Sequence, residues 1–183
     1  METHADSQPH ISKQVLEMLT VANEYCYSIE NHDQFPKNEF CIFLSRILPL
    51  LYIKGSLIPV VTVQYPEATE HYVTEEQWES IYHEMKEVFG NDDSFWSMQH
   101  GQYTDEPVKL GIAELLTDIY QDLKDFVILY QSPYNEQKIN AVDEVRRLYK
   151  TRWGLNATLV LTAIHLLVFP HGLSEESDVF GNQ

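Results

Sequence analysis

Residues 107–131, PVKLGIAELLTDIYQDLKDFVILYQ, decide the fold. At about 100° per residue, Ile112, Leu115, Leu116, Ile119, Leu123, Phe126, Val127 and Tyr130 fall into one broad apolar arc, the pattern of a helix packed along one side on a core. Glu114, Asp118, Asp122 and Asp125 gather within roughly 80° of one another, away from the centre of that arc. One side of this helix requires a core and the other requires cations. Thr104 or Asp105 supplies its N-cap in this reading, Pro107 sits in the first turn, and Ser132 and Pro133 stop it.

Outward from that helix, both flanks read as further helices. Downstream, the short gap after Pro133 predicts an antiparallel hairpin whose second arm turns Ile139, Val142, Val145, Leu148 and Tyr149 to the core. The polar side of that arm carries Arg146, Arg147, Lys150 and Arg152, four of the chain's twelve basic residues. Gly154 allows a break, and 155–169 follows as a nearly all-apolar helix, expected to be surrounded by the others and ended by Pro170. Upstream, Thr74 and Gln77 form a capping box for a helix closed by Gly90, with Trp78, Ile81, Tyr82, Met85, Val88 and Phe89 as its buried stripe. Phe95, Trp96, His100 and Tyr103, in the segment from Asn91 to Tyr103, are expected to plug one end of the core.

The run LIPVVTVQY from Leu57 to Tyr65 is β-branched and proline-bracketed, which favours an extended crossing segment over a helix. Before it, residues 36–54 form an apolar helix capped by a left-handed Gly55, and Ser12 opens a first helix that runs to about Glu30. Residues 1–10 are expected to be disordered and 171–183 to form a mobile tail. The fold class is therefore all-α: one helical bundle over residues 11–170, of about six helices, with an extended linker near 57–73 and with 36–54 and 155–169 at its centre.

A chain of 183 residues is long enough to bury close to 70% of its unfolded surface without disulfides. Its 28 acidic against 12 basic residues give a net charge of −16, a field that opposes nucleic-acid phosphates and anionic membranes and favours a basic protein as partner. Cys26 and Cys41 sit in apolar helical segments and read as buried thiols. The N-terminal METHADSQPH lacks the charge and apolar run of a secretory signal, so the cytoplasm is the expected compartment. The apolar stretch Phe40–Val63 is interrupted by Arg46, Pro49, Lys54, Gly55 and Pro59 and does not read as a membrane span.

Chemistry concentrates on the carboxylates of the central stretch. Spaced at i,i+4, they repel one another and require compensation. One reading pairs them with Arg146, Arg147 or Arg152 of the neighbouring helix in an ion-pair network. The other makes Glu114, Asp118 and Asp122 ligands of Mg²⁺ or Mn²⁺, cations that prefer oxygen donors, with His165 in support. His165, in the most apolar helix, is expected to be hydrogen-bonded, and Asp118 or Asp122 is its candidate partner. Glu79, His83 and Glu87 share one face opposite Trp78 and Met85 and read as a solvated surface. HEMKE is not the HExxH of a zinc protease, and no nucleophile elbow or glycine-rich phosphate loop is present.

The stretches NDDSFW, DEPVKLGIAELLTDIYQDLKDFVILY and RWGLNATLVLTAIH together resemble DUF5063, a helical family of unknown function. In that family they look like a paired-acid helix, a tryptophan-glycine break and a helix ending in histidine. Asp118, Asp122, Trp153, Gly154 and His165 match this pattern, and Glu106 with Pro107 matches the lead-in. The likeness covers about residues 75–168. Where some members carry histidines beside the tryptophan-glycine pair, this chain has Arg152 and Asn156, a departure that weakens a metal site there and points to a polar network. The resemblance implies a fold and no activity.

Two functions follow. The first is a non-enzymatic cytosolic interaction protein, adaptor or immunity-like, that needs no cofactor and meets a basic partner through its acidic surface and the helix 107–131. The second is a hydrolase of a phosphorylated small molecule, dependent on Mg²⁺ or Mn²⁺.

Overall fold

The computed structural model describes residues 8–98 and 107–170. Within them lie six α-helices and one antiparallel pair of strands: α1 (Lys13–Glu30), α2 (Lys37–Ser56), α3 (Glu75–Phe89), β1 (Ser94–Met98), β2 (Pro107–Gly111), α4 (Ile112–Tyr130), α5 (Asn135–Thr151) and α6 (Trp153–Val168). The expected helical bundle is present, and α4 is its axis. It packs against α1, α3, α5 and α6, whereas α2 lies chiefly along α6. All eight residues of the apolar arc, Ile112 to Tyr130, are buried.

The helix starts later than the sequence pattern predicts. Residues 107–111 are β2, paired with β1 so that Phe95 faces Leu110 and Ser97 faces Val108. Pro107 begins a strand, a position that tolerates its missing N–H, and not a helical turn. Thr104 and Asp105 lie outside the described residues. The cap comes from Asp93, whose main-chain carbonyl accepts from the Ile112 N–H at 2.6 Å and whose Oδ1 accepts from the Ala113 N–H at 2.7 Å. Its Oδ2 accepts from Lys86 Nζ at 2.7 Å. This buried carboxylate therefore satisfies orphan donors at the positive end of the helix.

The pair of strands also corrects the aromatic plug. A strand sends successive side chains to opposite faces, so Phe95 packs on the core while Trp96 is 69% exposed. His100 and Tyr103 lie outside the described residues, as do residues 1–7 and 171–183. Residues 8–10, expected to be disordered, are ordered: Pro9–Ile11 forms a 3-10 turn, and the carbonyl of buried His10 accepts from the Tyr130 hydroxyl at 2.8 Å. A tertiary contact with α4, invisible in local pattern, holds them. Ser12 caps α1 as expected, its Oγ accepting from the Val15 N–H.

The linker 57–73 is non-helical apart from the 3-10 turn Pro66–Ala68, and it buries Ile58, Val61 and Val73. The capping box opens α3 with both of its hydrogen bonds, and Gly90 closes it at φ +54°, a conformation that only glycine adopts without cost. Gly55 has a different part from the one expected: it lies inside α2, where a Cβ would stand 2.3 Å from the Trp153 ring. Its smallness makes room for an indole. Trp153 is fully buried and donates its N–H to the Val145 carbonyl at 3.0 Å, and at Gly154 a Cβ would meet the Tyr149 carbonyl at 2.2 Å.

α2 and α6 are not the surrounded centre that their composition predicts. Each buries one side and exposes the other, with Ile42, Leu50 and Ile53 of α2 and Leu155 and Leu166 of α6 open to solvent. Uniform apolarity carries no period, so it cannot say which side is covered. No helix among the described residues is long and apolar enough to cross a membrane.

Candidate functional site

The four carboxylates of α4 share a face of the helix, and three of them go to separate partners. Asp122, buried, forms a two-pronged ion pair with Arg152, whose Nε lies 2.8 Å from Oδ2 and whose second nitrogen engages Oδ1. Asp118 is half-buried, accepts from Trp78 Nε1 at 3.2 Å through Oδ1, and has Asn156 Nδ2 at 3.5 Å from Oδ2. Burial holds its carboxyl above the usual carboxylate range, against the opposing effects of the Trp78 N–H, the Arg152 charge and the Asn156 amide.

Asp125 clamps the linker. Its Oδ1 accepts from the N–H groups of Tyr72 and Val73 at 2.7 and 2.9 Å, and its Oδ2 lies 2.9 Å from His71 Nδ1. Glu114 is exposed near Gly111, one turn before Asp118. Three of the four acids are thus built into the packing of α4 against α3, α5, α6 and the linker.

The two readings of the acids use different parts of this arrangement. The arginine network is present in part, through Arg152. Arg147 instead pairs with Glu144 on its own helix at 2.8 Å, a contact that lowers the Glu144 carboxyl pKa, and Arg146 forms no ion pair among the described residues. The metal set of Glu114, Asp118 and Asp122 is not assembled: both Asp122 oxygens face the guanidinium, and among the described residues no three His, Cys, Asp or Glu side chains converge in a way that would hold a cation. The cleft that Asp122 and Asp125 line with His71 and Glu144 has room for about one water molecule.

His165 does not join the acids. It is exposed on the outer side of α6, its ring 4.9 Å from that of Phe169. One turn of helix carries an apolar neighbour sequence past the edge of the core, so the imidazole reaches water and requires no buried partner. Trp153 serves packing against Gly55 and Tyr149.

Sequence reasoning missed two features. Asp93 has no local signal as a cap, because the α4 N–H it satisfies with its side chain lies 20 residues away. The second is a grooved face formed by α2 and α6. One part of the groove, about 740 Å³ with open solvent included, is lined by Ser45, Pro49, Leu161, Thr162, His165 and Leu166. A second part of similar size lies between Lys37, Cys41 and Ile42 of α2 and Leu167, Val168 and Pro170. The available signal was the stripe Ile42, Pro49, Ile53 at helical spacing, on a helix already supplied with a buried stripe of Phe40, Leu44, Leu48 and Leu51.

A helical domain built on one buried axis, with Asp122 paired to Arg152, Asp118 and Asp125 hydrogen-bonded within the packing and exposed apolar residues on α2 and α6, is the class of protein defined here. The family model described as a domain of unknown function, DUF5063, matches residues 9–170, and the chain belongs to that family. A crystal structure of protein BF1032 from Bacteroides fragilis is similar at 30% identity with a TM-score of 0.78, covering 87% of this chain and 95% of that one. No curated protein matches the chain.

Proposed function

We propose that the chain is a non-enzymatic protein-interaction domain of the cytoplasm, and that its contact surface is the outer face of α2 and α6. The observation that carries this reading is the exposure of Ile42, Leu50 and Ile53 on α2 and of Leu155, Leu166 and Phe169 on and just after α6, with Ile42 and Leu166 lining grooves between the two helices. Exposed apolar side chains beside a groove with polar groups at its edge are characteristic of docking sites. The helix expected from sequence to meet the partner, α4, is the most enclosed element and has little surface to offer. A basic partner would find its carboxylates on α3, where Glu75, Glu76, Glu79 and Glu87 are exposed. The hydrolase reading loses support because Asp122 is neutralised by Arg152 and His165 faces away.

The test is cross-linking in the producing cell of the wild type and of Ile53→Glu and Leu166→Glu variants. Cross-linked species that vanish in both variants, with thermal unfolding unchanged, support the reading. Species that persist in both place the contact elsewhere.

A further inference from the structure

The occupant of the α2–α6 face can be read from where the charge is not. On a chain of net charge −16, α6 carries no acidic residue and α2 carries one, Glu39, of the chain's 28. The two helices hold Lys37, Arg46, Lys54 and His165 as well; Lys37 pairs with Asp92, which lines the groove, and Lys54 with Glu17, each at 2.8 Å, so the few carboxylates at this face are matched by cations. Two copies of so acidic a chain repel over most of their surfaces, and approach most readily where carboxylates are few and paired. A basic partner would be met better by the acidic surfaces elsewhere.

The geometry suits a self-complementary contact. Ile42, Pro49 and Ile53 recur along α2, and Leu155, Leu159, Thr162 and Leu166 recur along α6, each set at helical spacing, with Phe169 just past its end. Gly55 meets Trp153 at one end and Lys37 lies beside Leu167 and Val168 at the other, so the helices run antiparallel. A two-fold axis normal to such a pair sets the ridges of one copy in the groove of the other and completes a four-helix layer. With helices of 20 and 16 residues, the face measures roughly 30 by 20 Å in projection, and side-chain relief brings it to the order of 800 Å² per partner that stable interfaces bury. We infer that the face is covered by a second copy of this chain, as a two-fold dimer through α2 and α6. This inference rests on the interaction reading above and names its partner.

Sedimentation of the purified full chain from micromolar to millimolar concentration tests it. The wild type is expected to reach twice the monomer mass, more readily at high salt, where repulsion between copies is screened. Ile53→Glu and Leu166→Glu each place a carboxylate in the interface twice and weaken the dimer by about 100-fold or more, with the thermal midpoint of the monomer unchanged, while Leu166→Met retains it. A wild type that stays monomeric throughout overturns the inference, as does a dimer indifferent to both glutamates. A chain ending at Pro170 that dimerises when the full chain does not would also overturn it, by making residues 171–183 the occupant. A monomer that still loses a cross-linked heterologous protein on Leu166→Glu would sink the dimer and leave the interaction reading standing.

Discussion

At the scale of single residues, Asp122 and Asp118 are neighbours on one helix with opposite energetics. Asp122 is buried and doubly bonded to Arg152, so Arg152→Met strands a carboxylate in the interior. Such a loss costs about 3 kcal/mol, discounted toward 2 here because the guanidinium is partly exposed. Adding Asp122→Leu removes the stranded charge, and the double variant is expected to recover most of that loss in urea unfolding; a double variant no better than Arg152→Met would mean that the pair does not act as a unit. Asp118 is held above the usual carboxylate range by burial, so its charged form is disfavoured in the folded state. The folded state binds its proton more tightly than the unfolded chain does, and the cost of the charge is felt above the folded pKa and disappears as pH falls below both. Asp118→Asn keeps an acceptor for Trp78 and is expected to raise the melting temperature slightly at pH 7, with the gain fading below about pH 4. A loss at pH 7 would show that the charge is needed.

At the scale of elements, the break between α5 and α6 is set by what glycine leaves out. Gly55→Ala and Gly154→Ala each drive a Cβ into Trp153 or into the Tyr149 carbonyl, and because backbone and a buried indole yield little, each is expected to cost about 1–3 kcal/mol by overpacking. Gly154 meets main chain and should be the more severe in a chemical-denaturation comparison. Equal wild-type stability at both would show that the helices part easily. These elements also mark how far sequence pattern reaches. The arc of α4, the capping box of α3, the hairpin at Pro133 and the extended linker were legible because period, cap and proline act over a few residues. The start of α4 was not, because Asp93 caps it from 20 positions upstream and β2 takes the residues that looked like its first turn. Gly55 carried the mark of a helix cap, but the indole it accommodates comes from another helix. α6 was misplaced for lack of a period, and His165 with it. The shared face of the acids was legible; their separate partners depend on α3, α6 and the linker.

At the scale of the whole molecule, the charge of −16 is spread over most of the chain while Asp122 at the centre of α4 is held by Arg152, so added salt should stabilise by screening self-repulsion and not by filling a site. Thermal unfolding in NaCl is expected to shift upward smoothly with ionic strength. Mg²⁺ or Mn²⁺ at matched ionic strength should do no more than NaCl, and excess EDTA should do nothing. A cation bound at a real site would behave otherwise: at about 100 times its dissociation constant it adds roughly 2.7 kcal/mol, several degrees in the midpoint of a domain of this size. The decisive comparison is the wild type against an Asp118→Asn, Asp122→Asn variant. A Mn²⁺-specific rise in the wild type that the variant lacks would show that Arg152 can release Asp122 to a metal, and would return the hydrolase to the front. Parallel salt curves for the two proteins, offset by the stability that the Asp122–Arg152 pair supplies, are what the packing of α4 leads us to expect.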